Sequence, residues 1–180
     1  YLETNPENGY EDAIAAVSKG LVRGCFDEYT RLDSDKKEVS SIQVRGFAAG
    51  FKKITDTEKK YNPHASFTVK VYIEDLQPEV DNQGEETGRA LLTGLIQKTN
   101  QSMIRVPFVA PADNGVAAYV LANYGKGGTV FLDGTLVNVR ERVEVEEKSN
   151  SQYFGSLNRR QFRTKIVNER LITGGSSTVL

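Results

Sequence analysis

The chain is expected to be mainly β: a five-stranded Greek-key barrel with a short helix between its third and fourth strands, preceded by an N-terminal helical extension. Three observations predict this. From Val39 onward apolar and polar residues alternate with period two, the mark of strands with one buried face. The stretch 102–134, SMIRVPFVAPADNGVAAYVLANYGKGGTVFLDG, reads as strand, short helix, glycine link and a strand ending in Asp-Gly. Before Val39 the apolar spacing changes to three and four residues, as on one face of a helix.

Taken in order, residues 1–38 form the extension. Tyr10 to Leu32 sets Ala13, Val17, Leu21 and Cys25 or Phe26 on one face, which predicts an amphipathic helix or a pair broken at Gly20 and Gly24. Asp33 to Lys37 is a charged link. The barrel domain is expected over 39–174, with 175–180 a flexible tail. Its opening strand, Ile42 to Phe51, alternates small or apolar Ile42, Val44, Gly46, Ala48 and Gly50 with Gln43, Arg45, Phe47, Ala49 and Phe51. The second, Phe67 to Glu74, sets Phe67, Val69, Val71 and Ile73 against Thr68, Lys70, Tyr72 and Glu74. Pro78 to Glu86 is an acidic, turn-rich loop, and Gly88 to Gln97 fits an added strand. In the third barrel strand Ile104, Val106 and Phe108 alternate with Met103, Arg105 and Pro107, the proline belonging near an edge or bulge. Asp113 to Tyr124 is a helix capped by Asp113 or Asn114, with Val116, Tyr119, Val120 and Leu121 for packing, and Gly125-Lys126-Gly127-Gly128 stops it. Val130, Leu132 and Leu136 form the inner face of the fourth strand, opposite Phe131, Asp133 and Thr135. The last, Gln161 to Thr173, changes phase near Val167, which predicts a bulge there. Phe67, Phe108 and Phe162 are expected in the core.

Length and composition bound the class. With 180 residues, 38% hydrophobic and 26% charged, one domain with its own core is sufficient. The single cysteine, Cys25, has no CxxC partner, which favours a reducing, cytoplasmic setting, the host cytoplasm for a phage-encoded protein. No apolar run approaches a membrane span of about 18 residues, and no basic-then-apolar leader opens the chain. Because it begins at Tyr1 rather than Met, leading residues are expected to have been removed or left out. The net charge of −1 hides an asymmetry: residues 1–38 carry five Lys/Arg against nine Asp/Glu, whereas 149–180 carry five against one. A basic end of this kind marks a polyanion-binding face or, more plainly, a solvated surface.

With these elements in place, the order strand, strand, strand, helix, strand, strand resembles the OB-fold single-stranded DNA-binding proteins of bacteria and their phages. MIRVPFVAPADNGVAAYVLANYGKGGTVFLDGTLVN is similar to that family's third strand, helix and fourth strand, FRTKIVNERLITGG to its closing strand, and VRGFAAGF, more loosely, to its opening strand. The unmatched residues 1–38 and the acidic insertion near Val80 imply a divergent, phage-encoded or bacterial member. The resemblance implies a protein that coats single-stranded DNA during replication or recombination, as a homodimer or higher oligomer, alongside replication or recombination proteins. Many family members recruit partners through an acidic tip; TGGSSTVL has none, so that role is expected to be absent or to lie beyond this segment.

The residues give the same face a physical rationale. Single strands are held by cations that neutralise phosphates and by aromatic rings on which bases stack. Phe47, Phe51 and Tyr72 are the stacking candidates on strands, with Arg45, Lys52, Lys53, Lys70 and Arg105 as phosphate contacts. The hairpin between the fourth and fifth strands adds Arg140, Arg142, Lys148, Tyr153, Phe154, Arg159 and Arg160, in a position where OB-folds grip oligonucleotides. Each has a plainer reading: strand aromatics are ordinarily core, KKITDTEKK is a solvated loop, and the acidic run 141–147 repels phosphate. Catalysis and cofactors are not expected. His64 is the sole histidine, Cys25 has no placed base, and Gly125-Lys126-Gly127-Gly128-Thr129 lacks both the spacing and the Ser/Thr of a phosphate-binding loop. Two alternatives stand beside DNA coating: an OB-like interaction or structural module of a larger phage assembly, favoured by near-zero net charge, and an RNA-binding OB protein, since stacking and phosphate contacts serve both polymers.

Overall fold

Residues 20–53, 64–98, 100–146 and 160–177 are described by the computed structural model, without the side chains of 47–53, 140–146, 160–167 and 177. The chain divides into two compact units. The first, within residues 1–63 and 97–106, is built on an antiparallel ribbon of β1 (Gly20–Leu32) and β2 (Glu38–Lys53). Its turn is held by the Asp33 carboxylate, which accepts the backbone N–H groups of Asp35 and Lys37 at 2.8 and 2.9 Å. The same device closes the next hairpin, where Asp81 Oδ1 accepts from the N–H groups of Gln83 and Glu85 at 2.8 and 3.0 Å. An Asx-type bond satisfies turn donors that no strand can reach.

Within the ribbon Asp27 is almost fully buried and receives Lys98 Nζ, Arg45 at 3.9 Å, and the Glu28 N–H at 2.9 Å. The hydrogen bond from Lys98, then that from the Glu28 N–H, lowers the Asp27 carboxyl below its ordinary range, against the opposing effect of burial. A lowered folded-state pKa means stabilisation that is present above the unfolded value, about 3.9, and lost as pH falls through the folded one. Urea unfolding is therefore expected to show stability dropping below about pH 4, with a flatter acid limb in Asp27→Asn; identical slopes for both proteins would refute this role.

The barrel comprises β3 (Ser66–Val80), β4 (Glu86–Gln97), β5 (Met103–Ala110), β6 (Thr129–Glu146) and β7 (Arg160–Ser177), closed in the order β3-β4-β5-β7-β6. Helix α1 (Val116–Asn123) lies in the chain between β5 and β6, after a 3-10 turn at Asp113–Gly115. β3 serves two neighbours. Its first half, Ser66 to Tyr72, pairs with Thr135 to Thr129 of β6, and from Tyr72 onward it pairs with β4. β7 runs antiparallel to β6 and meets β5 in parallel at Val109↔Leu171. This closed five-stranded barrel with one short helix between its third and fourth strands is consistent with the OB-type barrel expected.

Inward residues on β3, β5 and β6 follow the predicted alternation: Val71 and Ile73, Ile104, Val106 and Phe108, and Val130 and Leu132 are buried, and Ala90, Leu92 and Ile96 on β4, Ala110 on β5 and Ile172 on β7 join them. Phe67 and Phe108 meet with ring centroids 5.6 Å apart at 50°. Two inward glycines make this packing possible: a Cβ at Gly94 would run into Val71, and one at Gly134 into the Leu171 carbonyl and the Phe67 ring. Across the wall, Arg89 reaches Glu79 at 3.3 Å and Glu169 at 2.8 Å, tying β4 to β3 and β7.

Six expectations are corrected. Residues 20–32, read as helical, form strand β1; Gly20 and Gly24 weaken a helix, and Val22, Phe26, Tyr29 and Thr30 suit a pleated strand beside β2. The helix expected before residue 20 lies outside the described residues. Ile42–Phe51 belongs to the ribbon rather than opening the barrel, and the segment read as an added strand, 88–97, supplies the barrel's second strand within β4. The bulge of the last strand sits at Thr173, between Ile172↔Gly134 and Gly174↔Asp133, while Val167 is in regular register with Val139. β7 continues to Ser177, paired with Val130, and so takes in the first residues assigned to the tail. Finally, neither Asp113 nor Asn114 caps the helix: the N-cap is Gly115, and Asn114 and Gly115 both adopt left-handed backbone, φ 57° and 70°.

Candidate nucleic-acid interface

Alternation along β3 turns Thr68, Lys70 and Tyr72 outward while Val71 and Ile73 point in. On β6 the same rule turns Phe131 and Asp133 outward, opposite Val130 and Leu132. The antiparallel register joins the two sets: Thr68 faces Asp133, Lys70 faces Phe131, and Tyr72 faces Thr129. Tyr72 also faces Leu95 on β4, so its ring rises at the middle of three strands. Tyr72 and Phe131 are 44% and 38% exposed, and as diagonal neighbours their Cα atoms are expected about 7–8 Å apart. Lys70, exposed, lies between them.

The glycine link completes the patch. Gly127 donates its N–H to the Ile73 carbonyl and Ile73 donates to the Gly128 carbonyl, both at 2.8 Å, which holds the turn carrying exposed Lys126 against β3. A Cβ at Gly127 would stand 3.8 Å from the Tyr72 hydroxyl, so the turn passes beside that ring. At the other end of the patch Thr68 donates to Asp133 Oδ1 at 2.6 Å, which fixes a carboxylate that keeps its negative charge.

Of the residues singled out from sequence, Lys70 and Tyr72 come together on this face. Arg105 is exposed on β5. Arg45 lies on the ribbon, where it is paired with Asp27. Phe51, Lys52 and Lys53 pair through their backbone with Val22, Leu21 and Gly20, and Phe47 falls where the β1–β2 register shifts; their side chains lie outside the described residues. So do those of Arg140, Arg142 and Arg160, whose backbones pair with Ile166, Thr164 and Glu146, and the whole of Lys148, Tyr153, Phe154 and Arg159. The ribbon and the barrel being separate sheets, Phe47 and Phe51 do not share a sheet with Tyr72. Sequence reasoning missed Phe131 and Lys126. The outward phase of Phe131 was legible in its own strand, but only the register across 61 positions sets it beside Lys70.

The model of the YorF family matches residues 5–179 of the chain. Among curated proteins, none matches it significantly.

Proposed function

We propose that this chain, which belongs to the YorF family, is a non-catalytic OB-fold protein that binds single-stranded DNA through stacking and charge, with little sequence preference, in replication or recombination. The observation that carries this reading is the pair of solvent-exposed rings, Tyr72 and Phe131, flanking Lys70 across two neighbouring barrel strands, with Lys126 on the adjoining turn. Rings standing out of a strand surface offer a stacking platform for any base, and cations beside them meet the phosphates between bases. Because one barrel grips few nucleotides, pairing of two copies would extend the site, and we propose a homodimer or larger oligomer, to be checked by sedimentation with and without DNA.

The test is a fluorescence titration with a poly-dT oligonucleotide across a series of salt concentrations, beside duplex and RNA controls. Phosphate neutralisation releases counterions, so affinity is expected to fall linearly on a log–log plot, and Lys70→Ala and Lys126→Ala are each expected to reduce the slope by about 0.7. Salt-independent binding, or equal affinity for duplex, would overturn the reading; a preference for the RNA control would move it to RNA.

A further inference from the structure

The β3–β6 face does not end at Phe131. Across β6, the register with β7 sets Ser176 beside Phe131 and Gly174 beside Asp133. Gly175, between them, points inward, where an added Cβ would run into the Phe131 carbonyl and the Tyr124 hydroxyl and come within 3.5 Å of Leu132. By alternation Gly174 and Ser176 stand on the outer side, and both are exposed. A Cβ at Gly174 would meet no atom of the described residues within 4 Å. Phe131 therefore has Lys70 on one flank and Ser176 on the other, with Asp133 two residues along its own strand, about 7 Å away by strand geometry. Beside Asp133 the floor is bare glycine, open to a planar group.

An acid on this face works against phosphate binding, since like charges repel. Asp133 is exposed, and its hydrogen bond from Thr68 takes Oδ1 and fixes the plane of the carboxylate. Oδ2 takes part in no hydrogen bond or ion pair among the described residues, which leaves a held acceptor next to a stacking ring.

We propose that Asp133 gives this face a preference for cytosine: with the base stacked on Phe131, Oδ2 accepts a hydrogen bond from the exocyclic N4 amino group. The inference rests on the single-strand reading above and adds a modest base preference to it. Cytosine carries a donor at N4, where uracil and thymine carry the acceptor O4. A carboxylate only accepts, so it attracts the first edge and repels the second. Gly174 lets the base edge come down over β7 beside Asp133 without meeting a side chain.

The experiment measures the affinity of the full chain for oligo-dC, oligo-dU and oligo-dT of one length by fluorescence anisotropy, at one salt concentration and slightly alkaline pH, where oligo-dC stays single-stranded. Oligo-dC and oligo-dU share backbone, charge and ring size, so their ratio reads the pairing edge. Oligo-dC is expected to bind about two- to tenfold more tightly than oligo-dU. The same strand built from N4,N4-dimethylcytosine, which has no N4 hydrogen, is expected to bind no better than oligo-dU. Asp133→Asn keeps an acceptor for Thr68, so the fold should persist. It also removes the charge and sets an amide NH2 in the place of Oδ2, so the dC-to-dU ratio is expected to fall to one or below while oligo-dU affinity holds or rises. A preference that came from stacking alone would survive that substitution. A ratio of one in the parent, a dimethylated strand that binds as well as oligo-dC, or an unchanged ratio in Asp133→Asn would each overturn the proposal. Salt-dependent binding of all three strands with equal affinity would overturn it and leave the single-strand reading standing; binding of none would remove both.

Discussion

Replacing Phe108 with alanine is expected to destabilise the protein by about 3–5 kcal/mol, the largest stability loss anticipated for any single side chain in the barrel. The ring has no solvent exposure and packs on Phe67 at 5.6 Å, so the substitution forfeits both its burial and the aromatic contact. Gly94, whose added Cβ would stand 3.4 Å from Phe108 Cε2, is too small to collapse into the space left behind. Set against typical total stabilities of about 5–15 kcal/mol, such a loss is a large fraction. Urea or thermal unfolding measures it, and a change below about 1 kcal/mol would mean that Phe108 is not the centre of the core.

Tyr72→Ala and Phe131→Ala are expected to do the opposite: little change in melting temperature, but each a loss of oligonucleotide affinity of about 1–3 kcal/mol, or roughly five- to 150-fold. Both rings are exposed, so truncation leaves no cavity. Binding measured on variants that unfold at the same temperature as the parent separates this from a core effect. Phe108→Ala serves as the contrast, since any loss of binding there should track unfolding. Unchanged poly-dT affinity in the Tyr72→Ala, Phe131→Ala double variant would remove the β3–β6 face as the DNA site.

Local pattern carried much of the fold. Period-two alternation identified the inward residues Val71, Ile73, Ile104, Val106, Phe108, Val130 and Leu132, because a strand's side chains switch faces at every residue whatever its neighbours are. The helix between the third and fourth barrel strands was legible from its apolar run and the Gly125–Gly128 stop, and Lys70 and Tyr72 from their place opposite a buried face. Spacings of three and four within the short apolar stretch 20–32 fit a helix as well as a strand, and β2 makes the choice by supplying the backbone partners a strand requires.

Which strands join which sheet was decided only by tertiary pairing. β2 has a strand's pattern in either sheet, and only its pairing with β1 places it in the ribbon; 88–97 looked like an addition, yet it pairs with the second half of β3. The candidate site depended on the same information. Lys70 and Phe131 become neighbours through the β3–β6 register, and Lys126 is held at β3 by the two backbone hydrogen bonds of Ile73. Along β3, β5 and β6 the alternation alone shows which residues face in or out, since that follows from backbone geometry within a few residues. The tertiary structure decided which outward residues share a surface, since that depends on hydrogen bonds between segments dozens of positions apart, which no local pattern encodes.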